Sequence, residues 1–432
     1  MRTTDNNRGN CRIEDCYLND LGIIANKSLY DLKQEFPDIL IFPQNLGENK
    51  DVIEKTPLFF LQEKNLITNN IMGFVGVNDT QLAITSRFYP EGNDYFLHYM
   101  LQKVFTPNIV DLKVNMDQES IWDLFLIYLF PFYLKKALNQ GLYKEYQRRE
   151  YNDTHLKGPI DIPRHIRLNN PFLGKIAYKT REHSFDNRIT QLIRHTIEYI
   201  KSHSIGSQVV NSNFEIRDYV NQVVFATTSY NKNDRRTIIR KNLSRVNHPF
   251  YIEYEILRRI CLQILHKKGL TIGKEKDKVY GLLFDGAWLW EEYLNTILAP
   301  LKFVHPENKT GKNPIFLFKG PKYPRFPDFY HSDKEIVLDA KYKHLEHSGE
   351  LDRDDINQII SYMYVLQSKK GGFIFPYCMN KIIPIGALNG YNGEVTRFGM
   401  GIPINKLNFR NFVDEMKKNE EEFISPTFLT ID

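Results

Sequence analysis

Residues 324–343 read PRFPDFYHSDKEIVLDAKYK, and their pattern predicts a β-hairpin that turns at residues 333–334. Side chains alternate along a strand, so Asp339 and Lys341 are expected to point the same way. With that turn, Asp328 on the first strand lies directly opposite Asp339 on the second. The Cβ atoms of directly opposed residues are about 4.5–5.5 Å apart, so the two carboxylates would lie close together.

Two facing carboxylates repel each other unless a cation lies between them, and Mg²⁺ prefers such oxygen ligands. We therefore expect Asp328 and Asp339 to hold Mg²⁺, or Mn²⁺ in its place. Lys341 beside the ion would orient or help to deprotonate a water, and would offset negative charge that develops on a phosphate. The alternative for an Asp-x-Lys strand is an ordinary solvated edge.

The flanking segments add further candidates. A helix predicted at residues 287–298 carries two adjacent acids, Glu291 and Glu292, and either could supply a third carboxylate. Downstream, Gln358 and Tyr362 are four residues apart and share one face of another predicted helix. An acid-bearing helix, an acid hairpin with a lysine and a Gln-x-x-x-Tyr helix, in this order, indicate a phosphodiester hydrolase.

This order resembles the PD-(D/E)xK nuclease superfamily and, more narrowly, the McrC-like subunits of McrBC-type restriction systems. The resemblance rests on Pro327-Asp328, DAKYK at 339–343, LWEEY at 289–293 and Gln358-x-x-x-Tyr362. Weaker similarity is found in GFVGV at 73–77, QLAITSRF at 81–88, LKGPI at 156–160 and DNR at 186–188. The resemblance therefore spans most of the chain.

The resemblance implies specific roles. The metal-binding positions would be Asp328, Asp339, Glu291 (directly or through water) and, through its carbonyl, Ala340. Lys341 would be the catalytic lysine. The residues that support the site or contact DNA would be Lys343, Gln358 and Tyr362. Because Glu292 adjoins Glu291, the phase of the helix leaves the choice between these two acids open.

A basic segment at residues 235–245 concentrates five cations in eleven residues. Four of these cations are candidates for contacts with DNA phosphates: Arg235, Arg236, Arg240 and Lys241. Such contacts would add a salt-dependent contribution to DNA binding. An ordinary solvated helix face explains the same charges equally well.

The whole chain has 432 residues, of which 42% are hydrophobic and 13% aromatic, and this composition excludes disordered and low-complexity classes. We expect a multidomain α+β protein. Its expected parts are a β-rich, partner-contacting domain at 1–115, a mainly helical, DNA-contacting region at 116–270 and an α/β PD-(D/E)xK nuclease domain at 271–432. The apolar run at 121–134 is too short to span a membrane and predicts a buried helix. Four scattered cysteines and a polar N-terminus favour a cytoplasmic location.

No segment gives the complete pattern of a phosphate-binding loop, including the Gly-Lys segments at 269–275 and 310–313, so we expect no bound nucleotide. The resemblance implies two partners: double-stranded DNA and a McrB-like AAA+ GTPase ring whose hydrolysis the chain stimulates. With one site per chain, cutting both strands would call for two copies. Two alternatives remain: a stand-alone nuclease resembling Cas4 or RecB nuclease domains, and a non-catalytic activator of an NTPase ring.

Overall fold

A computed structural model describes most of the chain. The described residues are 1–36, 39–43, 55–78, 80–89, 94–105, 121–203, 206–211, 213–246, 248–266, 279–306, 313–333, 335–346, 351–404 and 408–425. Both predicted domain boundaries, near residues 115 and 270, lie outside these ranges, as do the Gly-Lys segment at 269–275 and residues 310–312. The predicted hairpin turn is described at Asp333 only.

Strands and helices are numbered here in chain order. The strands are β1 Arg2–Thr4, β2 Cys11–Arg12, β3 Ile39–Phe42, β4 Phe59–Gln62, β5 Asn65–Thr68, β6 Ile71–Val77, β7 Thr80–Thr85, β8 Glu145–Asp153, β9 Ile176–Ser184, β10 Val279–Asp285, β11 Ile315–Phe316, β12 Pro324–Arg325, β13 Phe329–His331, β14 Ile336–Ala340, β15 Lys370–Tyr377, β16 Lys381–Ala387 and β17 Glu394–Gly401. The helices are α1 Asp15–Ile24, α2 Leu29–Glu35, α3 Tyr95–Phe105, α4 Ile121–Asn139, α5 Ile162–Leu168, α6 Arg188–Lys201, α7 Gly206–Val210, α8 Phe214–Ala226, α9 Arg235–Lys241, α10 Glu253–His266, α11 Gly286–Leu298, α12 Arg353–Leu366 and α13 Phe409–Phe423.

The chain divides into two compact units, one formed by Met1–Trp122 with Lys274–Asp432 and the other by Asp123–Gly273. The first unit contains a five-stranded sheet in the order β1-β7-β6-β10-β3. Strand β10, whose residues lie in the predicted segment 271–432, pairs antiparallel with β6 and parallel with β3. The first and third predicted segments therefore share one sheet. Helices α1 and α2 contribute to its buried core.

A second five-stranded sheet in the same unit has the order β13-β14-β15-β17-β16. Its three inner strands, β14, β15 and β17, run parallel, while β13 and β16 pair antiparallel at the edges. Helix α12 covers one face, where Ile359 and Met363 join Val337 and Phe373 in a buried cluster. Helix α11 contacts β14 and inserts Trp290, whose Nε1 donates to the carbonyl of Ile374 at 3.3 Å.

The second unit is rich in helix, with α5 to α10 and most of α4, but it also contains the long antiparallel strand pair of β8 and β9. The apolar run at 121–134 forms part of α4, as predicted. Among the described residues, no helix combines the length and the apolar character that crossing a membrane requires. The structure therefore has the mixed helix and sheet content that the sequence predicts. The pairing of β8 with β9 was not predicted.

Replacing Trp290 would measure how much the packing of α11 contributes to the stability of the first unit. The side chain is 0% exposed, so Trp290→Ala should lower the free energy of unfolding by about 3–5 kcal/mol because it leaves a large cavity. Tyr364→Ala is the control, since Tyr364 is 66% exposed and its loss should change stability by about 0.5 kcal/mol or less. Urea denaturation measures both; equal midpoints would contradict the packing described.

Candidate functional site

Asp328 and Asp339 face each other across the hairpin of β13 and β14. Phe329 pairs with Leu338. Asp328 precedes Phe329 and Asp339 follows Leu338 on the antiparallel partner strand, so this register places the two acids opposite each other, as expected from a turn at residues 333–334. The backbone N–H of Ala340 donates to Oδ2 of Asp328 at 2.7 Å. This hydrogen bond fixes the first carboxylate to the end of β14, beside the second.

Lys341 carries an ammonium group that lies between two carboxylates. Its Nζ is 2.7 Å from Oδ2 of Asp339 and 3.0 Å from Oδ1 of Asp355. Lys343, two residues further on, also forms an ion pair with Asp355 and lies 3.6 Å from Oδ2 of Asp352. Asp355 therefore joins both lysines from the first turn of α12.

The pKa values of Asp328, Asp339 and Lys341 are shifted by burial and by the charges of their neighbours. Burial, followed by repulsion from Asp339, raises the pKa of Asp328 to about 8. Burial also raises the pKa of Asp339, although Lys341 opposes this shift. Burial alone would lower the pKa of Lys341, but the attraction of Asp339 and Asp355 outweighs it and raises that pKa above its ordinary value. Lys341 is therefore a cation at neutral pH.

Glu291 on helix α11 is connected to Asp328 by the ring of His305, which contacts both residues. Nδ1 of His305 donates to the main-chain carbonyl of Asp328 at 2.7 Å, because a carbonyl only accepts. Nε2 of the same ring is 3.7 Å from Oε1 of Glu291. Glu292 instead accepts a hydrogen bond from Nε1 of Trp288 on its own helix, at 3.1 Å. Through His305, Glu291 is thus linked to the main chain of Asp328.

Gln358 and Tyr362 lie on α12 as a pair. Nε2 of Gln358 donates to the hydroxyl of Tyr362 at 2.7 Å, and that hydroxyl donates to the carbonyl of Phe326 at 3.2 Å. Burial, together with the negative charge of Asp339 and Asp328, raises the pKa of Tyr362 to about 12, while the hydrogen bond from Gln358 opposes the shift. The pair therefore supports the main chain that leads into Asp328, two residues after Phe326.

Tyr342, between Lys341 and Lys343, points away from the acids and contacts residues of the N-terminal segment. Tyr342 is buried, with its hydroxyl 2.7 Å from Oγ of Ser86 and its ring 4.9 Å from the guanidinium of Arg87. Arg87 is in turn held by the buried carboxylate of Asp5, at 2.6 Å. The start of α11 allows this approach, since a Cβ at Gly286 would lie 2.9 Å from the Tyr342 ring. The segment 341–343 is therefore held on one side by the ion pairs of its two lysines with Asp355 and on the other side by the contacts of Tyr342.

The basic segment forms helix α9 in the second unit. Its exposed cations are Arg236, Arg240 and Lys241, while Arg235 is partly buried, with its guanidinium 5.6 Å from the centre of the Tyr199 ring. This arrangement suits both a solvated face and a phosphate-contacting face. The DNA-contacting role of the four cations stays a prediction.

A metal ion was expected at the paired acids, and the described residues allow a test of its fit. No group of three or more His, Cys, Asp or Glu side chains is arranged for a metal within the described part of the chain. Mg²⁺ needs fewer, because it is usually held by one or two carboxylates with waters and substrate oxygens. Asp328 and Asp339 use Oδ2 in the contacts above, and Oδ1 of each makes no hydrogen bond or ion pair among the described residues. The two carboxylates therefore fit a largely hydrated divalent ion.

Two residues of the site were missed by sequence reasoning. Asp355 forms a capping box with Asp352 at the start of α12, and an Asp-x-x-Asp pattern ahead of the Gln-x-x-x-Tyr helix was a usable signal. His305 had no such signal, because it reaches the site by folding across 23 residues from Asp328. Neither residue is identifiable from motif spacing around Asp339 alone.

Fold and site together define a mixed α/β protein with an acid–lysine centre at the carboxyl end of a parallel strand. A sequence model described as "McrBC 5-methylcytosine restriction system component" matches residues 66–376, more than half of the chain. The chain belongs to this McrBC family, and the predicted resemblance to McrBC-type restriction systems is confirmed.

Two solved structures are similar to this chain at low identity. One is the refined half-complex from the tetradecameric assembly of Thermococcus gammatolerans McrB AAA+ hexamers with bound McrC, at 13% identity and a TM-score of 0.47, covering 93% of this chain and 95% of that chain. The other is the cryo-EM structure of the Thermococcus gammatolerans McrBC complex, at 12% identity and a TM-score of 0.33, covering 69% and 87%. Among curated proteins, none matches this chain.

The hydrogen bond between Tyr342 and Ser86 is open to a double-mutant cycle. Tyr342→Phe and Ser86→Ala should each lower the free energy of unfolding by about 1 kcal/mol, because each removes one partner of a buried hydrogen bond. The double variant should lose less than the sum, with a coupling energy of about 0.5–1 kcal/mol. Urea denaturation of the four proteins measures this energy, and strictly additive losses would contradict the contact.

Proposed function

We propose that this chain is the Mg²⁺-dependent DNA endonuclease component of a McrBC-type restriction system, with a PD-(D/E)xK core around β13 and β14. The observation that carries the proposal is the meeting of Asp328, Asp339 and Lys341 at the end of a parallel strand, where open α/β sheets bind their ligands. Family membership supports the restriction system as its setting.

The charges of the centre support a divalent cation. Two lysines, Lys341 and Lys343, lie in one connected set with five carboxylates, those of Asp328, Asp339, Asp352, Asp355 and Glu291. When all the acids are ionised, their negative charge exceeds the charge of the two lysines, and a divalent cation would offset part of this excess. Asp328, Asp339 and the carbonyl of Ala340 would hold the ion, with Glu291 contributing directly or through water. When bound, such an ion polarises a phosphate oxygen and lowers the pKa of a water.

In this proposal Lys341 acts through its positive charge. Because the two acids keep it protonated, it serves as a positive charge that stabilises a phosphate as negative charge develops, and not as a base. Asp355 and Lys343 hold the ammonium in place. Tyr362 and Gln358 keep the chain before Asp328 fixed, so the acids do not need to reorganise during the reaction.

The proposed partner is a McrB-like AAA+ GTPase ring, contacted by the β-rich N-terminal segment and stimulated by it. The support is membership of the McrBC family. Such a ring would provide the movement along DNA that a chain without a phosphate-binding loop does not power. Double-stranded DNA would be the substrate, with two copies cutting the two strands, in the cytoplasm.

Metal binding can be tested without any activity. In thermal denaturation, Mg²⁺ at about 100 times its Kd should stabilise the protein by about 2.7 kcal/mol, and Asp339→Asn should abolish this stabilisation. Asp354→Asn is the matched control, because Asp354 is an exposed acid one residue from Asp355. A Mg²⁺ shift that survives in Asp339→Asn would contradict the assigned ligands.

Cleavage tests the reaction itself. With the ring, Mg²⁺ and plasmid DNA, Lys341→Gln should lower the cutting rate about 100- to 1000-fold, because the charge next to the phosphate is lost. Asp339→Ala should abolish cutting, and both variants should still fold and bind the ring. Lys369→Gln, an exposed lysine before β15, should cut normally. Normal cutting by Asp339→Ala, or activity that survives EDTA, would refute the proposal.

The alternatives predict different outcomes in the same assay. A stand-alone nuclease would cut DNA as the purified chain, with no GTPase present. A non-catalytic activator would stimulate GTP hydrolysis equally well with Asp339→Ala and would produce no scission under any condition. Nicking and GTP hydrolysis, measured with and without the ring, distinguish the three.

A further inference from the structure

The hairpin of β11 and β12 lies directly before the acid–lysine centre and is assigned no role above. Ile315 pairs with Arg325 and Phe316 with Pro324. Beyond these pairs, Phe318 and Tyr323 are 61% and 63% exposed, and their ring centres are 5.5 Å apart. Two large aromatic rings thus stand together in solvent on one short hairpin.

The base of the hairpin is held by the fold. Ile315 packs against the buried cluster that includes Tyr362. Arg325 at the other end precedes Phe326, whose carbonyl accepts the hydrogen bond of Tyr362. Asp328 is three residues beyond Arg325, a span of at most about 11 Å. The exposed rings are therefore carried on a fixed element that leads straight into the proposed site.

The charge of the hairpin has a single sign. Residues 313–325 contain three cations, Lys319, Lys322 and Arg325, and no acid. All three side chains are exposed, and none forms an ion pair within the described part of the chain. The lysines of the centre differ, because Lys341 and Lys343 are paired with carboxylates. The hairpin therefore presents charges that nothing in the described structure neutralises.

The backbone of Tyr323 is also in an unusual conformation. Its φ is 54°, in the left-handed region that a bulky side chain rarely adopts and that costs about 1–3 kcal/mol. Burial of the ring does not offset this strain, since the ring is in solvent. Residual strain of this kind is common where a side chain is held for binding.

From these observations we propose that the hairpin 313–325 binds the DNA strand that enters the acid–lysine centre. Phe318 and Tyr323 stack on bases, and Lys319, Lys322 and Arg325 contact phosphates. Ring faces alternating with cations are typical of surfaces that bind single-stranded nucleic acid without sequence preference. The inference rests on the proposed function, and it adds a substrate-positioning element that acts by binding and takes no part in the reaction.

Two variants of the full chain separate the contributions of rings and charges. The first combines Phe318→Ala with Tyr323→Ala. The second combines Lys319→Gln, Lys322→Gln and Arg325→Gln. The control combines Phe225→Ala, Arg410→Gln and Lys418→Gln, which remove one exposed ring and two exposed cations from helices α8 and α13. All changes are on exposed side chains, and circular dichroism checks that each variant is folded.

Binding is measured by fluorescence anisotropy with a labelled single-stranded oligonucleotide and a labelled duplex, in EDTA so that no DNA is cut. The aromatic variant should bind the single strand about tenfold more weakly, with an unchanged salt dependence. The cationic variant should reduce the slope of log affinity against log salt by about 2, since each phosphate contact contributes about 0.7 on a single strand. The control should match the wild type.

The outcomes distinguish this inference from the proposed function. Wild-type affinity in both variants would overturn the inference, while cleavage by the wild-type chain would leave the nuclease proposal standing. Normal DNA affinity with lost binding to the AAA+ ring would also overturn it, by assigning the hairpin to a protein partner. A wild-type chain that neither binds nor cuts DNA, alone or with the ring, would refute both.

Discussion

The site depends on the two ion pairs that the ammonium of Lys341 forms with the carboxylates of Asp339 and Asp355. Unit charges 4 Å apart interact by roughly 4 kcal/mol at the effective dielectric of a protein surface. Neighbouring buried acids such as Asp339 and Asp355 therefore stay ionised only where cations are fixed beside them. Removing one partner of a buried pair costs about 3–5 kcal/mol, because the remaining charge is left uncompensated. The geometry around β14 serves to keep this arrangement intact.

Strand alternation gives β14 and the residues after it two separate tasks. Val337, Asp339 and Lys341 face α12, where Val337 enters the buried cluster and Lys341 reaches Asp355. Tyr342 points the other way, into a pocket formed with Ser86. A shift of one residue in register would exchange these faces, so that Lys341 would point towards Ser86 and Arg87 and the ring of Tyr342 would point towards α12. The site is therefore held in register by packing on both sides and not by the hairpin turn alone.

What the sequence allowed us to predict was local or periodic. The facing of Asp328 and Asp339 followed from the predicted position of the hairpin turn, and α11 and α12 followed from helical periodicity. Strand β10 was missed because it pairs with β6 across about 200 residues, and no local pattern encodes such a partner. Hairpin β8–β9 was missed for another reason: its first strand, EYQRREYND, contains no buried residue, so it lacks the apolar alternation that marks a strand. His305 is likewise a contact made only by the folded chain.

The same long-range contacts bear on whether the predicted nuclease segment, residues 271–432, is an independent domain. Its strand β10 completes a sheet with β3 and β6 of the N-terminal segment. The pocket of Tyr342, one residue from Lys341, is formed in part by Ser86 and Arg87. A fragment that began at 271 would expose both the edges of β10 and the aromatic ring beside the centre. The N-terminal sheet and the acid–lysine centre therefore belong to one compact unit, so the residues that fix the geometry of the centre are not confined to the C-terminal motifs.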